Sequence, residues 1–135
     1  MVVFRTMRNL IHPSIEDVTV EAVLHALADP VRVTIFEQIA GSSSPQTCSD
    51  FLTVCAQKVP KSTLSQHFKV LREAGLIRSE RHGVEMRSTS RCPEIEQRFP
   101  GLIPSIIKAL KIQARHGTAL RRGAARGRRP AETGG

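Results

Sequence analysis

The chain has 135 residues, of which 40% are hydrophobic, a length and composition that suit one modest core and exclude two independent domains. No stretch approaches the roughly 18 to 20 consecutive apolar residues of a membrane span, and the N-terminus lacks the apolar segment of a secretory signal. Three irregularly spaced cysteines do not resemble the framework of a disulfide-rich secreted domain, so we expect a cytoplasmic protein with reduced thiols.

The net charge of +8 is unevenly distributed along the chain. Residues 1–57 carry three basic and six acidic side chains, whereas residues 58–91 carry eight basic and three acidic ones. The tail over residues 112–135 adds six basic side chains and one acidic one. Two local positive segments favour a polyanionic partner such as nucleic acid, because neutralised phosphates release counterions. A solvated surface is the alternative, above all for the tail.

A first helix is predicted from apolar residues at positions i, i+3, i+4 and i+7, the spacing of one buried helix face. These residues are Val20, Val23, Leu24 and Leu27. Either Asp17 or Thr19 can provide the N-cap, because both side chains accept hydrogen bonds from the first free N–H groups of a helix.

A second helix is predicted to begin with Asp29 as N-cap and Pro30 as first helical residue, and to end at Gly41. Its inward side chains are Ile35, Phe36 and Ile39.

A short third helix is expected to start at Thr47, because Asp50 three residues later completes a pattern similar to a capping box. One face of this helix would carry Cys48, Phe51, Leu52 and Cys55. On an α-helix the two cysteines would lie about 10 Å apart, beyond the roughly 7 Å that a disulfide can span. We therefore expect both cysteines to pack in the core.

The stretch VPKSTLSQHFKVLREAGLI, residues 59–77, predicts a helix with a polar outer face. Leu64, Phe68 and Leu71 repeat at i, i+4 and i+7, and Gly75 supplies the C-terminal stop. The outer face carries Ser62, Ser65, Gln66, Lys69 and Arg72. Short side chains at a helix start let the backbone approach base edges, while Gln, Lys and Arg reach base acceptors and phosphates. An ordinary surface helix is the alternative interpretation.

The residues after Gly75 predict a hairpin that turns at His82-Gly83 and has basic residues near its tip. In its second half Val84, Met86 and Ser88 alternate with Glu85, Arg87 and Thr89.

A last helix is predicted from about residue 100 to 112, with Pro100 and Pro104 confined to its first turn. Its apolar stripe consists of Leu102, Ile103, Ile106, Ile107 and Leu110.

This order of elements is that of a winged helix-turn-helix. We predict a mainly α fold with a small β-hairpin, built from five helices and a two-stranded wing. The expected organisation is an N-terminal arm over residues 1–17, a DNA-binding and dimerisation domain over residues 18–112, and a disordered Arg-rich tail over residues 113–135.

Two segments resemble the ArsR/SmtB family of bacterial winged-helix repressors. LHALADPVR matches the family pattern Leu-x-x-Leu-x-Asp-Pro-x-Arg, and STLSQHFKVLREAGL matches the family's recognition helix, with Phe68 where Leu is usual. The resemblance covers roughly residues 18 to 112 and implies a homodimer joined through the first and last helices. It also implies double-stranded operator DNA as partner and release from DNA by an effector, which the sequence does not identify.

These considerations give two sets of candidate residues and no membrane partner. The DNA-binding candidates are Lys61, Ser62, Thr63, Ser65, Gln66, His67, Lys69, Arg72, Arg78, Arg81, His82 and Arg87. The dimerisation candidates are Val20, Val23, Leu24, Leu102, Ile103, Ile106, Ile107 and Leu110.

His67 could be a metal ligand or a catalytic base, but no second ligand or nucleophile accompanies it at a suitable spacing. We predict a structural or phosphate-contacting histidine, no enzymatic activity and no cofactor.

The resemblance to metal sensors of the family is incomplete. Their arsenic and cadmium sensors carry Cys-x-Cys where this chain has Cys48-Ser49-Asp50, and their zinc and nickel sensors use Asp and His on the last helix, which lacks both over residues 94–111. We predict no metal site, although a thiol- or metal-responsive repressor that uses Cys92 or Cys48 stays open, and so does a module that binds DNA non-specifically or binds a protein partner.

Overall fold

The computed structural model describes residues 12–51, 53–54 and 57–116. Within these residues the elements are a 3-10 turn Ile15–Asp17, α1 Val20–Ala26, α2 Pro30–Gly41, β1 Gln46–Thr47, a 3-10 turn Cys48–Phe51, β2 Thr53–Val54, β3 Gln57–Lys58, α3 Lys61–Glu73, β4 Ile77–His82, β5 Glu85–Ser90, α4 Cys92–Arg98 and α5 over residues 102–116. The chain divides into two compact units, Met1–Pro100 and Gly101–Gly135. None of the helices in the described ranges is both long enough and apolar enough to cross a membrane.

The predicted mainly α fold with a small antiparallel sheet is confirmed. The apolar core of the first unit is formed by α1, α2, the second 3-10 turn, α3, β4 and α4. Its most deeply buried large side chains include Leu27, Ile35, Phe36, Phe51, Leu64, Leu71, Leu76, Ile77 and Ile95.

The starts of α1 and α2 follow from their caps. Thr19 Oγ1 accepts a hydrogen bond from Ala22 N at 3.1 Å, which identifies Thr19 rather than Asp17 as the N-cap of α1. Asp29 Oδ1 accepts from Val31 N at 2.8 Å, and α2 then runs from Pro30 to Gly41 as predicted.

The end of α3 is fixed by Gly75. Leu76 N donates to Leu71 O and Gly75 N donates to Arg72 O, both at 3.0 Å, the pair of bonds that closes a Schellman motif. Gly75 has φ +87°, and a Cβ at this position would clash with Cγ2 of Val18. Both the backbone conformation and the close approach of Val18 therefore require glycine here.

The wing is a three-stranded antiparallel sheet with the order β1-β5-β4, so β1 joins the predicted two-stranded hairpin. Gly83 and Val84 form its turn, because His82 pairs with Glu85. Gly83 has φ +65° at the first loop position, where a type II′ turn places glycine. Val84, predicted in the second strand, lies in the turn and is 97% exposed.

The predicted third α-helix is wrong. Asp50 Oδ2 accepts from Thr47 N at 2.8 Å, but only the 3-10 turn Cys48–Phe51 follows. The β-branched pair Thr53 and Val54 then forms β2, which pairs with β3 instead of continuing a helix. Leu52 and Cys55 of the predicted helix lie outside the described residues.

Two further differences concern the C-terminal helices. Helix α4 was not predicted, because only Ile95 of its seven residues is buried and no apolar period extends over it. Helix α5 starts after Gly101 and continues to residue 116, beyond the predicted end at 112. Residues 1–11 of the predicted arm and residues 117–135 of the predicted tail lie outside the described residues.

Candidate nucleic-acid interface

The outward face of α3 is polar and accessible along the first two-thirds of the helix. Leu64, Phe68 and Leu71 are buried on the opposite side, where Phe68 packs edge-on against Phe51 with ring centroids 5.4 Å apart. The exposed candidates on α3 are Lys61, Ser62, Thr63, Ser65, Gln66 and Lys69. Lys61 and the hydroxyl groups lie in the first turns of α3, where free backbone N–H groups also point outward, and Gln66 and Lys69 follow further along the helix.

Two candidates on α3 are half-buried and differ from the rest. His67 Nδ1 lies 3.4 Å from Nη1 of Arg32, a residue at the start of α2. Arg72 lies in the last turn of α3 and is half-buried, and its charge contributes to lowering the pKa of His12. Arg72 is therefore less available to DNA than the sequence pattern suggested.

The basic residues of the wing lie on different faces of the sheet. Paired residues of an antiparallel ladder share a face, and faces alternate along a strand. Ser79 pairs with Ser88 in the buried layer, with their hydroxyl oxygens 2.8 Å apart, so Arg81 projects from that same face beyond the core. Arg78, His82 and Arg87 project from the other face. The structure thus separates Arg81 from the other three wing candidates.

Acidic neighbours reduce the positive charge of the wing. Arg87 forms an ion pair with Glu85 at 3.2 Å, and Arg78 forms one with Glu94 at 3.8 Å. Glu80 pairs opposite Arg87 in the ladder, and Glu73 is exposed at the end of α3. The positive segment of the sequence is therefore a mosaic of both signs on the surface.

The segment before α1 contains a site residue that sequence reasoning missed. His12 Nε2 accepts a hydrogen bond from Ser79 N at 3.0 Å and so satisfies a backbone N–H of β4. Burial of the ring, together with the guanidinium groups of Arg78, Arg72 and Arg91, lowers the pKa of His12, whereas Glu80 acts in the opposite direction. No local sequence signal reveals this contact, because 67 positions separate its two residues.

The same N-terminal segment is held by two arginines. Arg91 donates to Pro13 O at 2.8 Å, and Arg98 donates to Val18 O at 2.8 Å and to Ile15 O. Arg91 is 3% exposed, and its hydrogen bonds to the Glu94 carboxylate lower the pKa of Glu94.

The cysteines do not assemble a recognisable metal centre in the described part of the chain. Cys92 begins α4, is half-buried and has a free thiol. No group of three His, Cys, Asp or Glu side chains suited to hold a metal occurs in residues 12–51, 53–54 and 57–116. The Cys48 side chain and the whole of Cys55 lie outside that description.

The dimerisation candidates differ in accessibility. Val23 is fully buried in the core of the chain and Val20 is half-buried, whereas Leu24 is 49% exposed. A valine that is completely covered within its own chain cannot contact a second chain, so Val23 is removed from the set. In α5, Ile103 is buried. The remaining α5 candidates are half-buried: Leu102, Ile106, Ile107 and Leu110.

Comparison with known proteins finds relatives of the segment that contains α3. A helix-turn-helix domain family matches residues 27–80, which include α2, α3 and the start of the wing. The HTH-type transcriptional repressor SmtB of Mycobacterium tuberculosis, found in two strains, is 44% identical over 64 residues, 47% of this chain and 44% of SmtB. The chain thus contains a helix-turn-helix domain that is similar to part of an SmtB repressor.

Two solved structures share the fold of this chain. An ArsR-like transcriptional regulator from Rhodococcus sp. RHA1 superposes with a TM-score of 0.50 at 20% identity and covers 76% of this chain and 90% of its own. Rv0081 of M. tuberculosis gives a TM-score of 0.50 at 24% identity over 67% of this chain and 88% of its own. The match to SmtB spans less than half of that relative's length, so its activity is not transferred with the fold.

Proposed function

We propose that this protein is an ArsR/SmtB family member and a cytoplasmic transcriptional repressor. In this proposal it binds double-stranded operator DNA sequence-specifically as a homodimer and leaves it when an effector binds. The observation that carries the proposal is the exposed polar face of α3, which is held on a buried core by Leu64, Phe68 and Leu71. The start of this helix presents small side chains, so its backbone can come close to base edges in the major groove.

The residues of this face suit different parts of DNA. The Gln66 amide can donate and accept at once, which matches the N6 and N7 groups of adenine. Lys61 and Lys69 are exposed point charges without a described ion pair and suit phosphates on either side of the groove. Ser62, Thr63 and Ser65 offer hydroxyl groups to phosphate or to bases.

The wing adds contacts beside the groove. Arg81 lies apart from Arg78, His82 and Arg87, so the two sets would face different stretches of the DNA backbone. Arg87 and Arg78 each share their charge with a glutamate, which limits their sequence-independent attraction to phosphate. A surface that carries charges of both signs favours sequence-specific binding over non-specific binding to DNA.

A homodimer would present two copies of α3 to two half-sites of an operator. Leu24, half-exposed on α1, and the apolar stripe of α5 are the surfaces that support this part of the proposal.

A competition experiment tests the proposal against non-specific binding. The protein is bound to a labelled fragment from the promoter region of its own gene, and unlabelled identical fragment or random-sequence DNA is added in excess. We expect the identical fragment to compete at least about a thousandfold better, the lower range for specific binding. Equal competition by both DNAs would contradict sequence-specific repression and leave the non-specific alternative.

A further inference from the structure

Arg32 connects three helices through one guanidinium group. Its Nε donates to Ala26 O at 2.8 Å and its Nη2 donates to His25 O at 3.2 Å, so it satisfies two carbonyls at the end of α1. Nη1 lies 3.9 Å from the Asp29 carboxylate and 3.4 Å from His67 Nδ1 on α3. The Arg32 side chain is 14% exposed; its contacts with Ala26 O and His67 are partly buried, whereas that with His25 O is exposed.

The chemistry of this contact determines the state of the His67 ring. A guanidinium group has five N–H donors and no acceptor, so a hydrogen bond across this 3.4 Å contact requires Nδ1 of His67 to accept it. An imidazole that accepts at Nδ1 carries its N–H on Nε2. This N–H belongs to the ring edge away from Arg32. Thr63 and Gln66, which precede His67 on α3, are both exposed.

We propose that Arg32 is a positioning residue for DNA binding, which holds His67 neutral with its Nε2–H ready to donate to a DNA phosphate at the edge of α3. This inference rests on the proposed function. It adds one uncharged phosphate contact to those proposed for Lys61 and Lys69. Lysine could not replace Arg32. A guanidinium group has a fixed fork of N–H donors that reaches the two carbonyls of α1, Asp29 and the imidazole, and a single ammonium group has no such fork.

The contact itself is tested on the full-length protein without DNA. Imidazole 15N shifts of His67 are recorded for the wild type and for Arg32→Lys under slightly alkaline conditions. We expect the wild-type Nδ1 to have the shift of an unprotonated nitrogen that accepts a hydrogen bond, and the variant to move toward that of a nitrogen without one. Arg98→Lys, which alters an arginine bound to the carbonyls of Ile15 and Val18, should leave the His67 shifts unchanged. Identical His67 shifts in Arg32→Lys and the wild type would overturn the proposal.

The functional role is tested by a double-mutant cycle on DNA. We expect His67→Ala and Arg32→Lys each to weaken binding about three- to tenfold, and Arg32→Lys to cost less than about twofold once His67 is absent. His67→Ala should weaken operator and random DNA alike and leave the salt dependence unchanged, because a neutral donor displaces no counterion. Additive losses in the cycle, or a reduced salt slope for His67→Ala, would overturn the proposal.

Failure of the inference and failure of the proposed function give different results. A wild type that prefers its promoter fragment, combined with additive effects of Arg32→Lys and His67→Ala, rejects the inference alone. A wild type that binds no DNA rejects both, even if the 15N shifts show the Arg32–His67 contact.

Discussion

Gln66 is the residue of α3 best suited to read a base. Its amide is exposed on the same face as Lys69, but the two side chains differ in what they can recognise. An amide forms paired hydrogen bonds with adenine, whereas an ammonium group chiefly neutralises phosphate. The two residues therefore separate sequence specificity from electrostatic attraction within one helix.

We expect Gln66→Ala to cost on the order of 1–3 kcal/mol on operator DNA and little on random DNA. Lys69→Ala should weaken both and lower the slope of log K against log salt by about one. Fluorescence anisotropy titrations at several salt concentrations measure both effects. Equal losses on the two DNAs for Gln66→Ala would assign this residue to the phosphates instead.

His12 makes the stability of the fold depend on pH. Its Nε2 accepts from Ser79 N, and burial with nearby arginines lowers its pKa below the ordinary value of 6.5. As the pH falls through 6.5 the unfolded chain takes up a proton that the folded chain does not, so the free energy of unfolding decreases. The stabilisation is complete above that pH and is lost progressively below it.

We test this dependence with His12→Gln, whose amide oxygen can accept from Ser79 N without titrating. Urea unfolding of both proteins is measured between pH 8 and pH 5. The wild type should lose stability relative to the variant as the pH falls below 6.5. Parallel pH profiles for the two proteins would show that His12 does not titrate in this way.

At the scale of elements, the junction between α3 and β4 depends on one glycine. Gly75 closes the Schellman motif with φ +87° and lies against Val18, which precedes α1. The junction therefore joins the proposed reading helix, the wing and the N-terminal segment.

Gly75→Ala should destabilise the fold by at least about 1–2 kcal/mol, because a left-handed alanine is strained and its methyl group has no space. Gly41→Ala is the matched control, since Gly41 has open space around its Cβ position and no positive φ. Thermal unfolding of both variants measures the difference. A Gly75→Ala protein as stable as Gly41→Ala would contradict the tight junction.

The segment Cys48–Phe51 contains one of the three cysteines of the chain. Here it is a single 3-10 turn that places Phe51 in the core. One cysteine in such a turn provides one thiolate, whereas a soft-metal site requires several sulfur or nitrogen ligands.

We therefore expect arsenite, cadmium and zinc at low micromolar concentration not to release the protein from operator DNA. Cys48→Ser should bind the operator like the wild type. DNA-binding titrations with each metal, together with direct measurement of bound metal, check both points. Stoichiometric metal binding that requires Cys48 and lowers operator affinity would identify a metal sensor instead.

At the scale of the whole molecule, apolar side chains stay accessible on α1 and on α5. Leu24 is 49% exposed, and Ile106, Ile107 and Leu110 are half-buried. The proposed homodimer would bury apolar side chains of this kind.

We predict that Ile106→Asp gives a monomer with weak operator binding, because a buried carboxylate disfavours the apolar interface. Ala109→Asp, at an exposed position of the same helix, is the matched control and should stay dimeric. Sedimentation at micromolar concentration measures the assembly state of both. A wild-type monomer under these conditions would contradict the proposed dimer.

The sequence by itself determined the features of this protein that depend on nearby residues. The cap of α2 at Asp29, the buried face of α3 and its stop at Gly75 follow from hydrogen bonds and periodicity within a few positions, so local patterns predict them well. The limits of local patterns are visible after Thr47, where a good capping pair starts only a 3-10 turn because strand pairing further along is preferred.

Only the tertiary structure decided how distant residues meet. The ladder register separates Arg81 from Arg78, the core removes Val23 from the surface, and Ser79 receives its partner His12 across 67 positions. The contact of Arg32 with His67 likewise spans 35 positions. Such contacts depend on which segments pack together once the apolar faces are buried, and neither residue of each pair carries a local signal for the other.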